Sequence, residues 1–201
     1  MMKSYRRDEF LIHPETTRLY EQELEGGETT RWSGRPNPSR AAWKVSPIVF
    51  FAIPWTAFSL FWIAGASGFK IPDFSGPASF FPLFGVPFVL IGLGMLSAPY
   101  WAYRKALKTG YFVTNRRVFI IERKGWSGFR VRTFLPEHLD QLERVQRADG
   151  SGDLIFDREY RSGRNGNGSI VEIGFIGIPE VREVEALIRE LPGAGKAVEA
   201  N

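Results

Sequence analysis

The sequence predicts an α+β membrane protein, with a two-helix transmembrane hairpin joined to a small antiparallel β domain that a C-terminal helix closes. Two uncharged stretches, Val45–Phe69 and residues 74–103, contain no Asp, Glu, Lys or Arg. Each exceeds the roughly 20 residues that a helix needs to cross a bilayer. After Gly110 the apolar residues recur mostly with a period of two, which is typical of strands. Only the last apolar stripe has helical spacing.

The two uncharged stretches predict transmembrane helices at residues 45–66 and 80–103, with an external loop at 67–79. Glycines and prolines in the loop predict a tight reversal. Two adjacent core helices of a soluble protein would leave little polar surface, so the bilayer is the better interpretation. The helices contain no ionisable residue, which favours an anchor over a transport path. Small residues are expected to let the helices approach closely: Thr56, Ser59, Gly85, Gly92 and Gly94.

Charge predicts the orientation of this hairpin. Residues 1–44 carry eight Lys or Arg, whereas the loop carries only Lys70. Because positive flanks stay inside, both termini are expected in the cytoplasm, and the protein in the cytoplasmic or inner membrane. Reporters near Met1 and at Asn201 should then be cytoplasmic, and a tag near Phe74 external. No cleaved signal is expected, since the N-terminus lacks an apolar core. An aromatic belt is predicted at the cytoplasmic interface: Trp43, Tyr100, Trp101 and Tyr103.

Catalytic and metal chemistry find no support in the residue pattern. The chain has no cysteine, which excludes disulfides, thiolate catalysis and cysteine-based zinc sites. His13 and His138 stand apart from any carboxylate cluster at ligand spacing. Asp149 and Asp153 flank glycines, but this spacing is typical of a hairpin turn and lacks the closing Glu of a calcium loop. We therefore expect no enzyme activity, no metal and no cofactor.

The β domain is predicted over residues 109–192. Six strands are followed by a helix that begins at Pro179, with an apolar stripe made of Val181, Val184, Leu187, Ile188 and Leu191. Residues 1–28 are expected to be a peripheral N-terminal arm, and residues 193–201 a mobile tail. Residues 29–36 supply one more strand candidate, at Thr29–Gly34, before the hairpin. A seven-stranded bent antiparallel sheet with a C-terminal helix is the pleckstrin-homology (PH) architecture.

The order of several short motifs resembles the bacterial PH-like membrane proteins. These motifs are Gly27-Glu28, Trp32-Ser33-Gly34-Arg35-Pro36, Tyr111-x-x-Thr114-x-x-Arg117-Val118, Gly150-x-Gly152-x-Leu154-x-Phe156 and Phe175-x-x-Ile178-Pro179, with the hairpin after the second. The resemblance covers about Gly26 to Leu191. It implies a cytoplasmic PH-like antiparallel β barrel or sandwich, held at the membrane, with no established catalytic centre.

Two functions from different classes remain open. The first is a non-enzymatic, membrane-anchored interaction module that binds protein partners or anionic lipid headgroups at the cytoplasmic leaflet. A basic collar is expected to contact the lipid or only to set topology: Arg104, Lys105, Lys108, Arg116 and Arg117. The alternative is an accessory subunit of a membrane transport or assembly complex that packs through its hairpin. Nucleic acid is not an expected partner, because the positive charge is tied to the membrane edge.

The sequence also predicts that the hairpin is an insertion within one domain. Thr29–Gly34 and the later strands leave the hairpin on the same side of the membrane, so they can pair. Trp32 would then be buried, and Trp32→Ala would cost about 3–5 kcal/mol of stability as a large-to-small core change.

Overall fold

A computed structural model describes residues 12–70, 76–125, 128–139, 141–162 and 168–193. The chain forms two compact units. Ser39–Arg104 is the hairpin unit, and the segments before and after it combine into the β unit. Residues 194–201 of the predicted tail and residues 71–75 of the hairpin loop, with Phe74, lie outside the described residues.

The β unit contains two antiparallel sheets. The first sheet has the order β1-β2-β3-β4, and the second has the order β5-β6-β7. The strands of the first sheet are β1 (Thr30–Gly34), β2 (Gly110–Thr114), β3 (Val118–Lys124) and β4 (Gly128–Phe134). Those of the second are β5 (Glu143–Gln146), β6 (Gly152–Ser162) and β7 (Gly168–Ile178). No ladder joins β4 to β5 in the described residues, so of the expected barrel or sandwich the structure has the open form, with two separate antiparallel sheets.

The predicted pairing of Thr29–Gly34 with the later strands is confirmed. Gly34 pairs with Tyr111 and Thr30 with Thr114, in an antiparallel ladder with one irregularity. β1 and β2 are therefore neighbours in one sheet although 75 residues, Arg35 to Thr109, separate them in the sequence. The hairpin is inserted into the connection between these two strands.

The core between the sheets is closed by the C-terminal helix α6 (Val181–Arg189). Val181, Val184 and Ile188 of the predicted stripe are at most 1% exposed, and Leu191 is buried beside them. Phe175 is fully buried and stacks on Tyr111, with ring centroids 4.6 Å apart. The predicted helical stripe therefore faces the core, as its spacing requires.

Trp32 is half-buried, whereas the insertion prediction expected it to be buried. Its ring packs on the core cluster and stacks on Phe175 at 5.5 Å. β1 is the edge strand of the first sheet in the described residues, and Trp32 on it stays partly exposed. The cost of Trp32→Ala should therefore fall below the 3–5 kcal/mol typical of a fully enclosed aromatic.

A helix covers the outer face of the first sheet. Helix α1 (Pro14–Glu23) places Tyr20 against Phe112 and Phe119, with the Tyr20 and Phe112 rings stacked at 3.8 Å. Tyr20 is 4% exposed and donates to or accepts from the Thr30 hydroxyl at 2.7 Å. Residues 12–28 are therefore an integral layer of the β unit, and the expected peripheral arm is wrong for this segment. The physical reason is that β2 and β3 carry apolar side chains on both faces, which need cover on both.

Among the described residues, four helices and one 3₁₀ segment lie in the hairpin unit or at its ends. They are α2 (Pro38–Lys44), α3 (Ser46–Ala66), the 3₁₀ segment Pro77–Gly85, α4 (Val86–Leu96) and α5 (Ala98–Leu107). The predicted single helix at 80–103 is thus interrupted. Pro82 lies within the 3₁₀ segment and Pro87 at the start of α4. Each proline lacks the amide hydrogen that a regular α-helix needs there, which favours the change of helix type.

Small residues bring α3 and α4 together. Gly92 lies directly against Thr56, so an added Cβ would fall 2.2 Å from the Thr56 hydroxyl oxygen. The indole N–H of Trp55 donates to the carbonyl of Phe88 at 3.1 Å, which links the two helices by a hydrogen bond. Gly94, also expected at this contact, has open space around it instead. The close approach therefore rests on glycine and hydroxyl residues, as is common in membrane helix pairs.

Candidate functional site

The register of the first sheet distinguishes its two ends. Gly34 and Gly110, where the chain leaves for the hairpin and returns, lie at the same end as the turn between Lys124 and Gly128. We call this the hairpin end. Thr114 and the turn that follows it lie at the opposite, far end.

Three residues of the predicted collar lie beside the hairpin end. Arg104 and Lys105 are exposed on the last turn of α5, and Lys108 follows that helix directly. Only Lys108 and Thr109 separate α5 from β2. Since each residue spans at most about 3.6 Å, the helix end lies within roughly 11 Å of Gly110. These three cations therefore lie in the stretch of the chain that links the end of α5 to β2.

Aromatic side chains accompany these cations. Arg104 donates to the hydroxyl of Tyr100 at 2.8 Å, and its guanidinium lies 5.7 Å from the centre of the Tyr100 ring. The other predicted belt residues are likewise exposed: Trp43, Trp101 and Tyr103. Exposed Trp and Tyr side chains beside Lys and Arg are typical of the places where helices leave a bilayer.

Arg116 and Arg117, the other two residues of the predicted collar, lie beyond the opposite end of β2 from Lys108. They lie in the turn between β2 and β3, at the far end. A strand rises about 3.3 Å per residue, so the four steps of β2 from Gly110 to Thr114 span roughly 13 Å, and the two arginines follow in the turn. Proximity in the sequence suggested one collar, but β2 places the two arginines at the opposite end of the first sheet from Gly110.

Arg117 instead forms a buried ion pair with Glu28. Its Nε and Nη2 donate to the two Glu28 carboxylate oxygens at 3.0 and 2.9 Å. The Glu28 side chain is 0% exposed, and it also accepts the Thr114 hydroxyl at 2.7 Å and the Glu25 amide at 3.0 Å. We call Glu28, Thr114 and Arg117 the clasp. It joins the segment before β1 to the turn between β2 and β3.

The clasp controls the protonation of its carboxylate. Burial alone raises the pKa of Glu28, but the hydrogen bonds from Arg117, the Glu25 amide and Thr114 and the charge of Arg117 outweigh it, and lower the pKa to about 2. The same hydrogen bond to Glu28 raises the pKa of Arg117. Both groups are therefore charged at neutral pH. The Glu28 carboxylate balances the Arg117 charge, so Arg117 has a structural role.

The resemblance motifs contained the residues of the clasp, but sequence reasoning assigned Glu28 no role. Glu28 follows Gly27, and Thr114 and Arg117 are the second and third named positions of Tyr111-x-x-Thr114-x-x-Arg117. These separate motifs meet in space at one ion pair. The signal in the sequence was an acidic residue in one motif and an arginine in another motif, which could pair with each other.

A second buried carboxylate stabilises the second sheet. Asp153 is 8% exposed, pairs with Arg147 at 2.6 Å and accepts the Gly177 amide at 2.6 Å. Gly177 has a φ of +68°, which favours glycine, and its carbonyl accepts the amide of Asn37 at 3.1 Å. The Asp149–Asp153 segment is therefore a structural turn. In the described residues no three metal-ligating side chains gather at one point.

The hairpin unit contains an apolar cleft of about 260 Å³. Aromatic side chains dominate its lining, which consists of Trp55, Phe58, Ser59, Trp62, Phe84, Gly85 and Phe88. The hydroxyl of Ser59 donates to the Trp55 carbonyl within its own helix at 2.8 Å. The lining therefore offers a mostly apolar surface, because the Ser59 hydroxyl already donates its hydrogen bond within its own helix.

Comparison with known protein families identifies the chain. A family profile described as "Bacterial PH domain" matches residues 49–192, which spans most of the hairpin unit and the β unit from β2 to α6. The chain belongs to the bacterial PH domain family. No curated protein and no solved structure matches it. The match begins after β1, so the structure adds α1 and β1 to the part of the PH-like domain that the profile covers.

Proposed function

We propose that this bacterial PH domain protein is a non-enzymatic, membrane-anchored binding module. Its hairpin crosses the cytoplasmic membrane, and its PH-like domain lies at the cytoplasmic leaflet, where it binds protein partners or anionic lipid. Membership in the PH-like class supports a binding role, since this fold serves as a scaffold for recognition sites.

The exposure of the two long helices is the observation that carries the proposal. Helix α3 and the helical stretch Phe81–Leu107, which contains the end of the 3₁₀ segment with α4 and α5, have mean hydropathies of 1.8 and 1.9, yet only 17% of the 18-residue apolar stretch in each is buried. Phe50, Phe58 and Leu90 are 72%, 67% and 62% exposed. Core helices of a soluble protein bury such side chains, whereas lipid tails solvate them.

The orientation follows from the charge pattern. Cations crowd both flanks of the hairpin, and Lys70 is the only one between the helices. Positive flanks favour the cytoplasm, so the loop faces outward. Arg104, Lys105 and Lys108 then lie at the level of the lipid headgroups, where each gains roughly 1 kcal/mol against an anionic leaflet.

The lipid part of the proposal is tested with a triple variant of the full chain, Arg104→Gln, Lys105→Gln and Lys108→Gln, reconstituted in bilayers. Spin-labelled anionic and zwitterionic lipids report how strongly the protein selects the anionic one. We expect the wild type to prefer the anionic lipid at low salt, with the preference weakened by added salt. The triple variant should lose most of it.

Arg116→Gln is the matched control, because Arg116 is exposed but lies at the far end. It should keep the wild-type preference. Equal preference in the triple variant and the wild type would restrict the three cations to setting topology, and the lipid claim would fail.

The alternative function, an accessory subunit of a membrane transport or assembly complex, is favoured by the apolar cleft between the helices. Phe58 lines the cleft and is 67% exposed, whereas Phe61, 64% exposed on the same helix, does not line it. A stoichiometric membrane partner that purifies with the wild type and Phe61→Ala, and is lost from Phe58→Ala, would support this alternative. Equal recovery in all three would reject packing through the cleft.

A further inference from the structure

We propose that the apolar cleft of the hairpin unit is a phospholipid site. One acyl chain lies in the cleft, and the ester carbonyl of that lipid accepts a hydrogen bond from the indole N–H of Trp62. The inference rests on the proposed function, because it requires the hairpin to lie in a bilayer. Every residue that forms the site belongs to the hairpin unit.

The cleft is a groove with a buried base and exposed walls. Ser59 and Gly85, the two small residues of its lining, are buried. An added Cβ at Gly85 would fall 2.4 Å from the Ile63 side chain, so α3 and the 3₁₀ segment touch at this level. The aromatic walls reach the surface, since Phe58 and Phe84 are 67% and 66% exposed. The groove is therefore open to the medium that surrounds the helices.

The cleft spans the half of the membrane that faces away from the cytoplasm. Trp62 lies four residues before the end of α3 at Ala66, and Trp55 lies eleven residues before it. At about 1.5 Å per residue, these positions are roughly 6 and 16 Å from that end. Half of the hydrocarbon core is about 15 Å thick. In the proposed orientation the site therefore runs from the bilayer centre to just below the outer headgroups.

A groove of this kind is filled by a lipid chain. The hydrocarbon core contains no water, and an empty groove would lose the dispersion contacts of its lining. The cleft volume of about 260 Å³ exceeds the roughly 150 Å³ of an apolar cavity that takes up benzene. It therefore has room for a segment of an acyl chain. A whole helix, about 10–12 Å in diameter, would not fit inside it.

Trp62 supplies the polar contact that selects a phospholipid. Its indole N–H has no acceptor among the described residues, whereas the N–H of Trp55, also in the lining, donates to the Phe88 carbonyl at 3.1 Å. A partner's helix satisfies its backbone carbonyls internally and offers few acceptors to such a donor. A phospholipid presents ester carbonyls near the interface, the level at which Trp side chains are enriched. The unpaired N–H therefore favours a phospholipid as the occupant.

Photo-crosslinking of the full chain in nanodiscs locates the lipid. The probe is a phosphatidylglycerol with a diazirine on one acyl chain, at low mole fraction, and mass spectrometry of the digested protein counts the adducts at each residue. We expect several-fold more adducts at Phe58 than at Phe61, which is 64% exposed on the same helix but outside the cleft. Ser59→Leu, which fills the cleft, should reduce the adducts at Phe58 to the level at Phe61.

The pattern of adducts separates the two proposals. Equal numbers at Phe58 and Phe61 in the wild type would overturn this inference and leave the proposed function standing, because both positions would then simply face lipid. Adducts at Phe61 alone, in protein purified with a bound membrane partner, would assign the cleft to that partner and also overturn the inference. Absence of adducts from both positions would overturn the proposed function as well.

A second experiment tests the hydrogen bond of Trp62. The same ester-linked probe competes with the bulk lipid of the nanodisc, which is either ester-linked or an ether-linked analogue without ester carbonyls. Adducts at Phe58 of the wild type should be several-fold more numerous in the ether-linked bilayer, and adducts at Phe61 should not change. Trp62→Phe keeps an aromatic ring and removes the donor, so it should abolish the difference at Phe58. Equal adducts in both bilayers for the wild type would exclude the Trp62 contact.

Discussion

Replacement of Arg117 by methionine is expected to unfold much of the β unit. Removing one partner of a buried ion pair leaves an uncompensated charge, which typically costs about 3–5 kcal/mol. The total stability of a domain is only about 5–15 kcal/mol. The Glu28 carboxylate, whose side chain is 0% exposed, would lose both of its guanidinium hydrogen bonds. Urea unfolding of the full chain in mild detergent, followed by pulse proteolysis, measures the loss.

Arg116→Met provides the control for this variant. Arg116 adjoins Arg117, but it is half-exposed and its pair with Glu25 is 3.7 Å long. Such a surface pair contributes about 0–1 kcal/mol, so this variant should stay near wild-type stability. Equal losses in the two variants would show that the clasp does not stabilise the domain.

The clasp also predicts a pH dependence. The pKa of Glu28 is about 2 in the folded protein, below the roughly 4.3 of an unfolded glutamate. The clasp therefore stabilises the fold fully above about pH 4.3, and this contribution, about 3 kcal/mol, disappears as the pH falls to about 2. The stability difference between wild type and Glu28→Gln should shrink over that window. A difference that stays constant from pH 6 to pH 2 would contradict the assigned pKa.

Replacement of Tyr20 by alanine is expected to cost about 3–4 kcal/mol, as a large-to-small change in a buried cluster. Tyr20 is 4% exposed, and its loss would uncover Phe112 and Phe119 on the outer face of the first sheet. Tyr20→Phe is the matched control. It keeps the ring and removes only the 2.7 Å hydrogen bond to Thr30, which is worth about 1 kcal/mol.

The two tyrosine variants are compared by the same urea unfolding in detergent. A loss below 1 kcal/mol for Tyr20→Ala would mean that α1 is the peripheral segment that the sequence suggested. Equal losses for both variants would assign the effect to the hydroxyl group rather than to the ring.

The sequence predicted the architecture well where one simple pattern decides it. The two uncharged stretches are long enough to cross a membrane, and they can be recognised from composition alone, without knowledge of their contacts. The stripe of Val181, Val184 and Ile188 has a helical period that assigns its core-facing side. The pairing of Thr29–Gly34 followed from the strand count and from the side of the membrane on which the chain emerges.

The covered outer face of the first sheet was missed, although the sequence contains its signal. β2 and β3 carry consecutive apolar residues, including Phe112 and Phe119, where a half-exposed strand would alternate. Thr16, Tyr20 and Leu24 recur every four residues, which is the spacing of one face of a helix. The charged residues around Tyr20 obscured this pattern and suggested an arm.

Long-range pairing explains the other differences. β6 continues past Phe156 to Ser162 although residues 157–162 are mostly polar. Arg158 there lies opposite Glu172 and forms an ion pair with Glu143 of β5, so cross-strand charge pairs support the ladder. Arg117 was assigned to lipid because nothing local identifies Glu28, 89 residues earlier, as its partner.

Cysteine accessibility in intact cells tests the central claim, that a membrane-spanning hairpin anchors the PH-like domain at the cytoplasmic leaflet. Single cysteines replace Lys70, in the loop, and Asn201, at the C-terminus, in a chain that has no other cysteine. A membrane-impermeant maleimide should label Lys70→Cys in intact cells, and should label Asn201→Cys only after the membrane is permeabilised. Labelling of both positions in intact cells, or of neither, would place them on one side and contradict the anchored hairpin.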